Sequence, residues 1–388
     1  MLQAGCVRSD GVGEWGVANG GEAAANIDTA AFAQTAAAVV QPRPDSSFAK
    51  LVARLSEPGG YFDSDNLVSN ELSYQHVVGA MQRLKVGGGA YIGVGPDQNY
   101  TYIALVRPTI AYMIDIRRDN LLQHLLYKSL FEVSRNRVEY LAHLLGKPAP
   151  ANVAAWDKRT LGQLITYLDS VPSRRDLFDS VRARVTRRVA GYGVSLGPHE
   201  LETIARIHER FFLSGLNLQY ESLNRPSRRN YPTYRDLLLE TDLAGTHRNY
   251  FATEEGFQFV KSMHDRNLIV PVTGNLAGTH ALRAIAADIA ARGERVSVLY
   301  VSNVEFYLFR EGTFELFAEN VRALPRDERS VIVRSYFNGP YTYQHAQWIP
   351  GYFSTQIIQT LPSFVTEFAR GGYPSYIDLV TKHSISLR

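Results

Sequence analysis

Residues 87–120 read GGGAYIGVGPDQNYTYIALVRPTIAYMIDIRRDN, and the order of residue types in this stretch decides the fold. Ala90 to Val94 is a short apolar run rich in strand-forming residues. Gly93 and Gly95 open a tight turn that closes on Pro96 and Asp97. Asn99 to Val106 suits a short helix, capped by Asp97 or Asn99 and ended by Pro108. Thr109 to Ile114 is a second buried-type strand, ending on Asp115 about twenty residues after the glycines. Strand, glycine turn, helix, strand and acid together make a nucleotide-type half-site.

The chemistry of such a half-site follows from its residue types. Gly93 and Gly95 lack side chains, so a ligand can approach their backbone. The helix that follows offers free N–H groups. Asp115 can accept hydrogen bonds from both hydroxyls of a ribose. Asp97 is expected to face the ligand, where it would repel a pyrophosphate and attract a positive group.

These residues resemble the first two motifs of class I S-adenosylmethionine-dependent methyltransferases. In that family a glycine turn after the first strand cradles the cofactor, and an acid ending the second strand binds its ribose. The resemblance implies that Gly93 and Gly95 form the turn and that Asp115 is the ribose acid. It covers about a third of the chain and departs from the family pattern twice. Tyr91 stands where the family has an acid, and Asp97 stands where it has a third glycine. The segments YFDSDNLVSNE, YIGVGPDQN, DIRRDN and VSNVEFYL are also similar to a bacterial family without an assigned activity.

The rest of the chain extends the same reading. Buried-type strands are expected near 89–94, 109–115, 268–273, 295–301 and 330–335, alternating with helices. That order predicts an α/β, Rossmann-like, mostly parallel sheet with helices on both faces. Residues 136–225 contain no convincing strand and read as a large helical insertion of the kind that builds a lid or substrate pocket. The chain thus divides into a disordered tail over 1–46, a first half over 47–135, the insertion, and a second half over 226–388. The last of these has an aromatic-rich end, with Tyr336, Phe337, Tyr341, Tyr343, Trp348 and Tyr352 packing on the sheet or walling a pocket. Phe364 to Arg370 reads as a helix and Tyr376 to Val380 as a final strand.

In an open parallel sheet, ligands bind beyond the carboxyl ends of the strands. The polar residues expected there are Gly93, Gly95, Asp97, Gln98, Asp115, Arg117, Gly274, Asn275, Ser302, Asn303 and Glu305. Of these, Gly93, Gly95, Asp97, Gln98, Asp115, Arg117, Gly274 and Asn275 are the candidate S-adenosylmethionine contacts. Glu305 and Asp97 are candidate bases, and Asn275 and Asn303 candidate substrate-positioning groups. The polar run from Tyr61 to Glu71 reads either as turn chemistry or as a loop over the mouth of the site. His124, on an apolar helix face, reads as a hydrogen-bonded core residue.

Bulk composition narrows the function classes. The chain has 388 residues, 45% hydrophobic and 20% charged, with a net charge of +3. So small a charge points to a small-molecule ligand and away from nucleic acid. Arginine clusters at Arg184, Arg187 and Arg188 and at Arg225, Arg228 and Arg229 read as solvated faces or anion sites. A single cysteine, Cys6, allows no internal disulfide, and the histidine spacings lack a zinc pattern. No run is long enough for a transmembrane helix, so a cytoplasmic location is expected. Leu2 to Cys6 has a faint lipoprotein-cleavage look without a basic, apolar leader, and a mis-assigned start would make the protein an exported lipoprotein. A non-catalytic nucleoside-binding or partner-binding protein is the alternative to a methyltransferase.

Overall fold

The computed structural model describes residues 47–224, 231–338 and 343–388. The expectations for residues 1–46 and for Arg225, Arg228, Arg229 and Tyr341 fall outside these residues.

Six strands form one sheet: β1 (Ala90–Gly93), β2 (Ile110–Asp115), β3 (Ile269–Thr273), β4 (Val296–Tyr300), β5 (Val331–Phe337) and β6 (Ser354–Thr360). Their spatial order is β3-β2-β1-β4-β5-β6. The first five are parallel, and β6 runs antiparallel to β5. Every residue of β1, β3 and β4 is buried, which explains their unbroken apolar composition: both faces of the sheet are covered. The five strands read from the apolar runs are all present, each within two residues of the expected bounds.

Fifteen α-helices accompany the sheet among the described residues. Preceding or following β1 are α1 (Ser47–Leu55), α2 (Val78–Arg83) and α3 (Asn99–Val106). Between β2 and β3 stand seven: α4 (Arg118–Val133), α5 (Arg137–Leu144), α6 (Leu161–Ser170), α7 (Arg175–Gly191), α8 (Pro198–Ser214), α9 (Tyr234–Leu239) and α10 (Glu254–Asp265). The remainder are α11 (Ala281–Ala291), α12 (Val304–Glu311), α13 (Phe314–Arg322), α14 (Leu361–Ala369) and α15 (Tyr376–Thr381). Helix α4 packs on β2 and β3 and also carries α7, α8 and α10 against it. Its buried surface runs around the whole cylinder, from Asn120 to Phe131, as such a double role requires.

Three elements differ from the sequence reading, each for a local reason. Tyr376 to Val380 is helical, because the Ser375 hydroxyl accepts from the Asp378 N–H and starts a helix there. Val304 to Glu311 forms α12, where only a strand end was expected. Strand β6 was not read at all, since its Gln356 and Gln359 look like surface residues although both are fully buried.

Candidate functional site

The chain runs outward from β1 to β2 and β3, then returns to β4 on the other side of β1. Loops leaving β1 and β4 therefore diverge, and a crevice opens between them at the carboxyl ends of the strands. A cleft of about 130 Å³ lies there. Its walls include Gly95 after β1, Asp115 and Arg117 at the end of β2, Gly274 and Asn275 after β3, and Ser302 and Asn303 after β4. Tyr61, Phe62, Asn66 and Asn70 also line it, so part of the polar 61–71 segment belongs to its wall. Beside it is a second cavity of about 800 Å³, and Phe62, Asn70, Tyr220, Asn303 and Tyr307 line both.

The turn after β1 is held from below. Asn99, expected as a cap, instead turns its amide back to donate to the carbonyls of Val94 and Pro96, both at 2.8 Å. Its Oδ1 accepts from the Tyr91 hydroxyl at 2.7 Å. A Cβ on Gly93 would fall 2.0 Å from that Oδ1. Gly93 is thus a glycine because Asn99 and Tyr91 occupy its flank, and not because a ligand must reach it. Gly95 differs: its φ of +83° favours glycine, and its backbone faces the cleft. His124 braces the same turn. Its Nε2–H donates to the Gly95 carbonyl at 3.0 Å, and its Nδ1 accepts from the Tyr100 hydroxyl at 2.8 Å. Burial holds its pKa down at about 4, so the ring is neutral at ordinary pH. The core reading of His124 agrees with this geometry.

Asp97, expected to face a ligand, is buried and does not line the cleft. Its Oδ2 lies beneath the turn and accepts from the hydroxyls of Tyr234 and Tyr250, each at 2.9 Å. Burial pushes its pKa up to about 6, against the opposing pull of the two tyrosines. Gln98 also turns inward. Its Nε2 lies 3.4 Å from the Tyr300 hydroxyl, and its buried Oε1 has no partner among the described residues.

Asp115 is where a ribose acid is expected, at the end of β2 and on the cleft wall. Its Oδ1 accepts from the Arg117 N–H at 2.9 Å, and its Oδ2 is 3.3 Å from the Arg117 guanidinium. The other guanidinium nitrogen donates to the Asp65 carbonyl at 2.9 Å. Arg117 thereby ties the acid to the 61–71 segment. Gly274 lies where a Cβ would meet Ala281 at 2.2 Å, so its small size serves the packing of α11. The Asn275 N–H is taken by the Glu57 carboxylate at 2.8 Å.

Glu305, expected as a base, is sequestered. Its carboxylate pairs with Arg334 at 2.6 Å, and both side chains are 1% exposed. Burial raises its pKa, against the pull of the guanidinium. Asn303, by contrast, lies on the shared wall of cleft and cavity.

Sequence reasoning read Glu71 as part of a run serving turn chemistry or a loop over the mouth, and missed its place in the site floor. Its carboxylate accepts from the hydroxyls of Tyr300, at 2.5 Å, and of Ser302 and Ser335, and from the Gln356 amide at 3.1 Å. Glu71 thus joins the ends of β4, β5 and β6. It also holds Ser302, whose φ of +53° is rare for a residue with a side chain. Asn66, also on the cleft, has a φ of +46°. Backbone held in such conformations is concentrated at functional sites. The available signal was the acid itself, between buried Val68 and Tyr74.

Of the aromatic C-terminal residues, Tyr336, Phe337 and Tyr343 line the larger cavity. Trp348 is elsewhere, donating to the Tyr352 carbonyl at 2.7 Å. Arg184, Arg187 and Arg188 share a third pocket of about 660 Å³ with Arg135 and Lys261. Among the described residues no helix is long and apolar enough to cross a membrane.

No curated protein matches the chain. The family model described as "Domain of unknown function (DUF7790)" matches residues 66–190 and 200–384, and with that coverage the chain belongs to this family.

Proposed function

We propose that the protein is a methyltransferase-like enzyme of Rossmann-like fold that binds S-adenosylmethionine in the cleft and its methyl acceptor in the adjoining cavity. The observation that carries this reading is the convergence of four strand ends. Gly95, Asp115, Asn275 and Asn303 come from four different strands and meet at one cleft that adjoins a larger chamber. Of the 136–225 segment read as a helical insertion, Tyr220 and Ser222 reach these walls.

The residues suit the cofactor in kind. Asp115 offers carboxylate oxygens to a ribose, Gly95 offers backbone without a Cβ, and Asn275 and Arg117 offer side-chain donors. When bound, S-adenosylmethionine supplies an electrophilic methyl group. Asn303, on the shared wall, would orient the acceptor. The volume of about 130 Å³ is small beside the ~300–1,000 Å³ of ligand pockets. Binding therefore requires the 61–66 segment to shift, against the bonds that Arg117, Glu221 and Asn224 make to it.

The test is a calorimetric titration with S-adenosylmethionine, S-adenosylhomocysteine and NAD in parallel. The two methyl-cycle ligands should bind and NAD should not. Asp115→Ala should weaken S-adenosylhomocysteine by about 1.5–3 kcal/mol, the worth of hydrogen bonds to a charged group. Tighter binding of NAD, or unchanged affinity in the variant, would overturn the assignment.

A second reading is a non-catalytic nucleoside-binding protein. It is favoured by the sequestration of Glu305 and Asp97, which leaves neither acid free to act as a base. Binding of S-adenosylhomocysteine without transfer of labelled methyl to any acceptor would select it.

A further inference from the structure

The larger cavity has a chemical character of its own. Ten of its eighteen lining residues are aromatic. Their rings meet mainly edge to face: Phe62 with Tyr307 at 4.9 Å, Phe306 with Tyr376 at 5.5 Å and Tyr220 with Tyr231 at 5.2 Å. A flat ring entering such a chamber finds both faces and edges to pack on.

Two further observations narrow the ligand. Phe306, Tyr343, Phe353 and Ile377 are 39%, 42%, 50% and 38% exposed, and all four line this cavity. They make up half of the large apolar side chains that stand exposed among the described residues, so apolar surface is gathered where a ligand would cover it. The second observation is Arg310. Its guanidinium lies over the Phe306 ring at 5.6 Å, at an exposed position on the cavity wall. The acid on the same wall, Asp63, already accepts from the Tyr61 hydroxyl and from the Asn224 amide through Oδ1. Arg310 is the one cationic side chain among the residues that line the chamber.

We propose that this cavity binds a planar aromatic anion, its ring packed among Phe306, Tyr307 and Tyr376 and its acidic group at Arg310. The assignment of this ligand as the methyl acceptor rests on the proposed function; the binding itself does not.

The experiment uses the full chain without any methyl donor. 2-Naphthoate and its neutral isostere 2-naphthamide are titrated separately by calorimetry. Naphthoate should bind with one-to-one stoichiometry and about tenfold more tightly, as a charge-assisted contact to arginine warrants. Arg310→Gln, a change at an exposed position, should abolish that preference while leaving naphthamide affinity in place. Phe306→Ala should weaken both probes alike. Equal affinity of the two probes, a preference that survives Arg310→Gln, or no binding of either would overturn the proposal. Asp115→Ala separates the two readings, since it should leave naphthoate binding unchanged while weakening S-adenosylhomocysteine. A cleft that fails to bind S-adenosylhomocysteine beside a chamber that still prefers naphthoate would refute the first reading and keep the second.

Discussion

Four carboxylates gather near the carboxyl ends of the sheet, and their surroundings divide them into two kinds. Asp97, Glu71 and Glu305 lie beneath the floor, fully enclosed and each supplied with donors from the fold itself. Asp115 stands in the wall of the cleft, with a 2.9 Å bond from the Arg117 N–H and a longer contact at 3.3 Å to its guanidinium, which also donates to the Ser64 and Asp65 carbonyls. The difference teaches that an acid in a suggestive position is spent when its neighbours already donate to it. Only the acid with acceptor capacity facing open volume has chemistry left to offer.

The comparison is tested hardest at Glu305. Replacing its partner, Arg334→Met, leaves a buried charge alone and should cost about 3–5 kcal/mol in chemical denaturation. A loss under about 1 kcal/mol would mean that Glu305 reaches water and belongs with Asp115. Next comes the pH dependence of Asp97. Its folded pKa of about 6 lies above the unfolded value of about 3.9. Folding thus favours its protonated form. The stabilisation is fully present below pH about 4 and is lost as pH rises through about 6. Relative to Asp97→Asn, the wild type should lose about 2–3 kcal/mol between pH 4 and pH 8. Parallel stability curves for the two proteins would show that Asp97 is solvated. His124 has the opposite sign, its contribution being lost as pH falls from about 6.5 towards about 4, and it cancels because both proteins carry it. The smallest effect is expected at Asp115. Asp115→Ala removes a hydrogen bond from a backbone N–H and a longer contact to the Arg117 guanidinium, which keeps its bonds to the Ser64 and Asp65 carbonyls, and should cost about 1.5–3 kcal/mol of stability. A loss as large as that of Arg334→Met would make Asp115 a structural acid too.

The parallel strands were legible because burial on both faces leaves no reason for a polar residue in them, as in Ile269 to Val272. Asp115 was legible because it ends such a run. Strand β6 was not, because Gln356 and Gln359 are buried for the sake of distant partners. Gln356 donates to Glu71, and Gln359 accepts from Arg334 at 3.0 Å. Nothing local announces a partner 285 residues away. Asp97 failed for the same reason. The two tyrosines that claim it stand more than a hundred residues later in the chain. Gly93 and Gly95 look alike in sequence, yet one yields to the side chain of Asn99 and the other to a left-handed backbone.

Strand β1 has one neighbour nearby in sequence and one far off: Ala90 pairs with Ile110 on one side and with Val296 on the other. At synthesis rates of about 5–20 residues per second, the second neighbour emerges on the order of 10–40 s after the first. Through that interval the middle of the future sheet is an edge, with a row of unpaired N–H and C=O groups on an apolar strand. The nascent chain therefore presents a strand-addition surface that the finished protein does not have. Chaperone engagement is expected while residues 116–295 are being made, and a chain halted in that window should aggregate where the full-length chain does not.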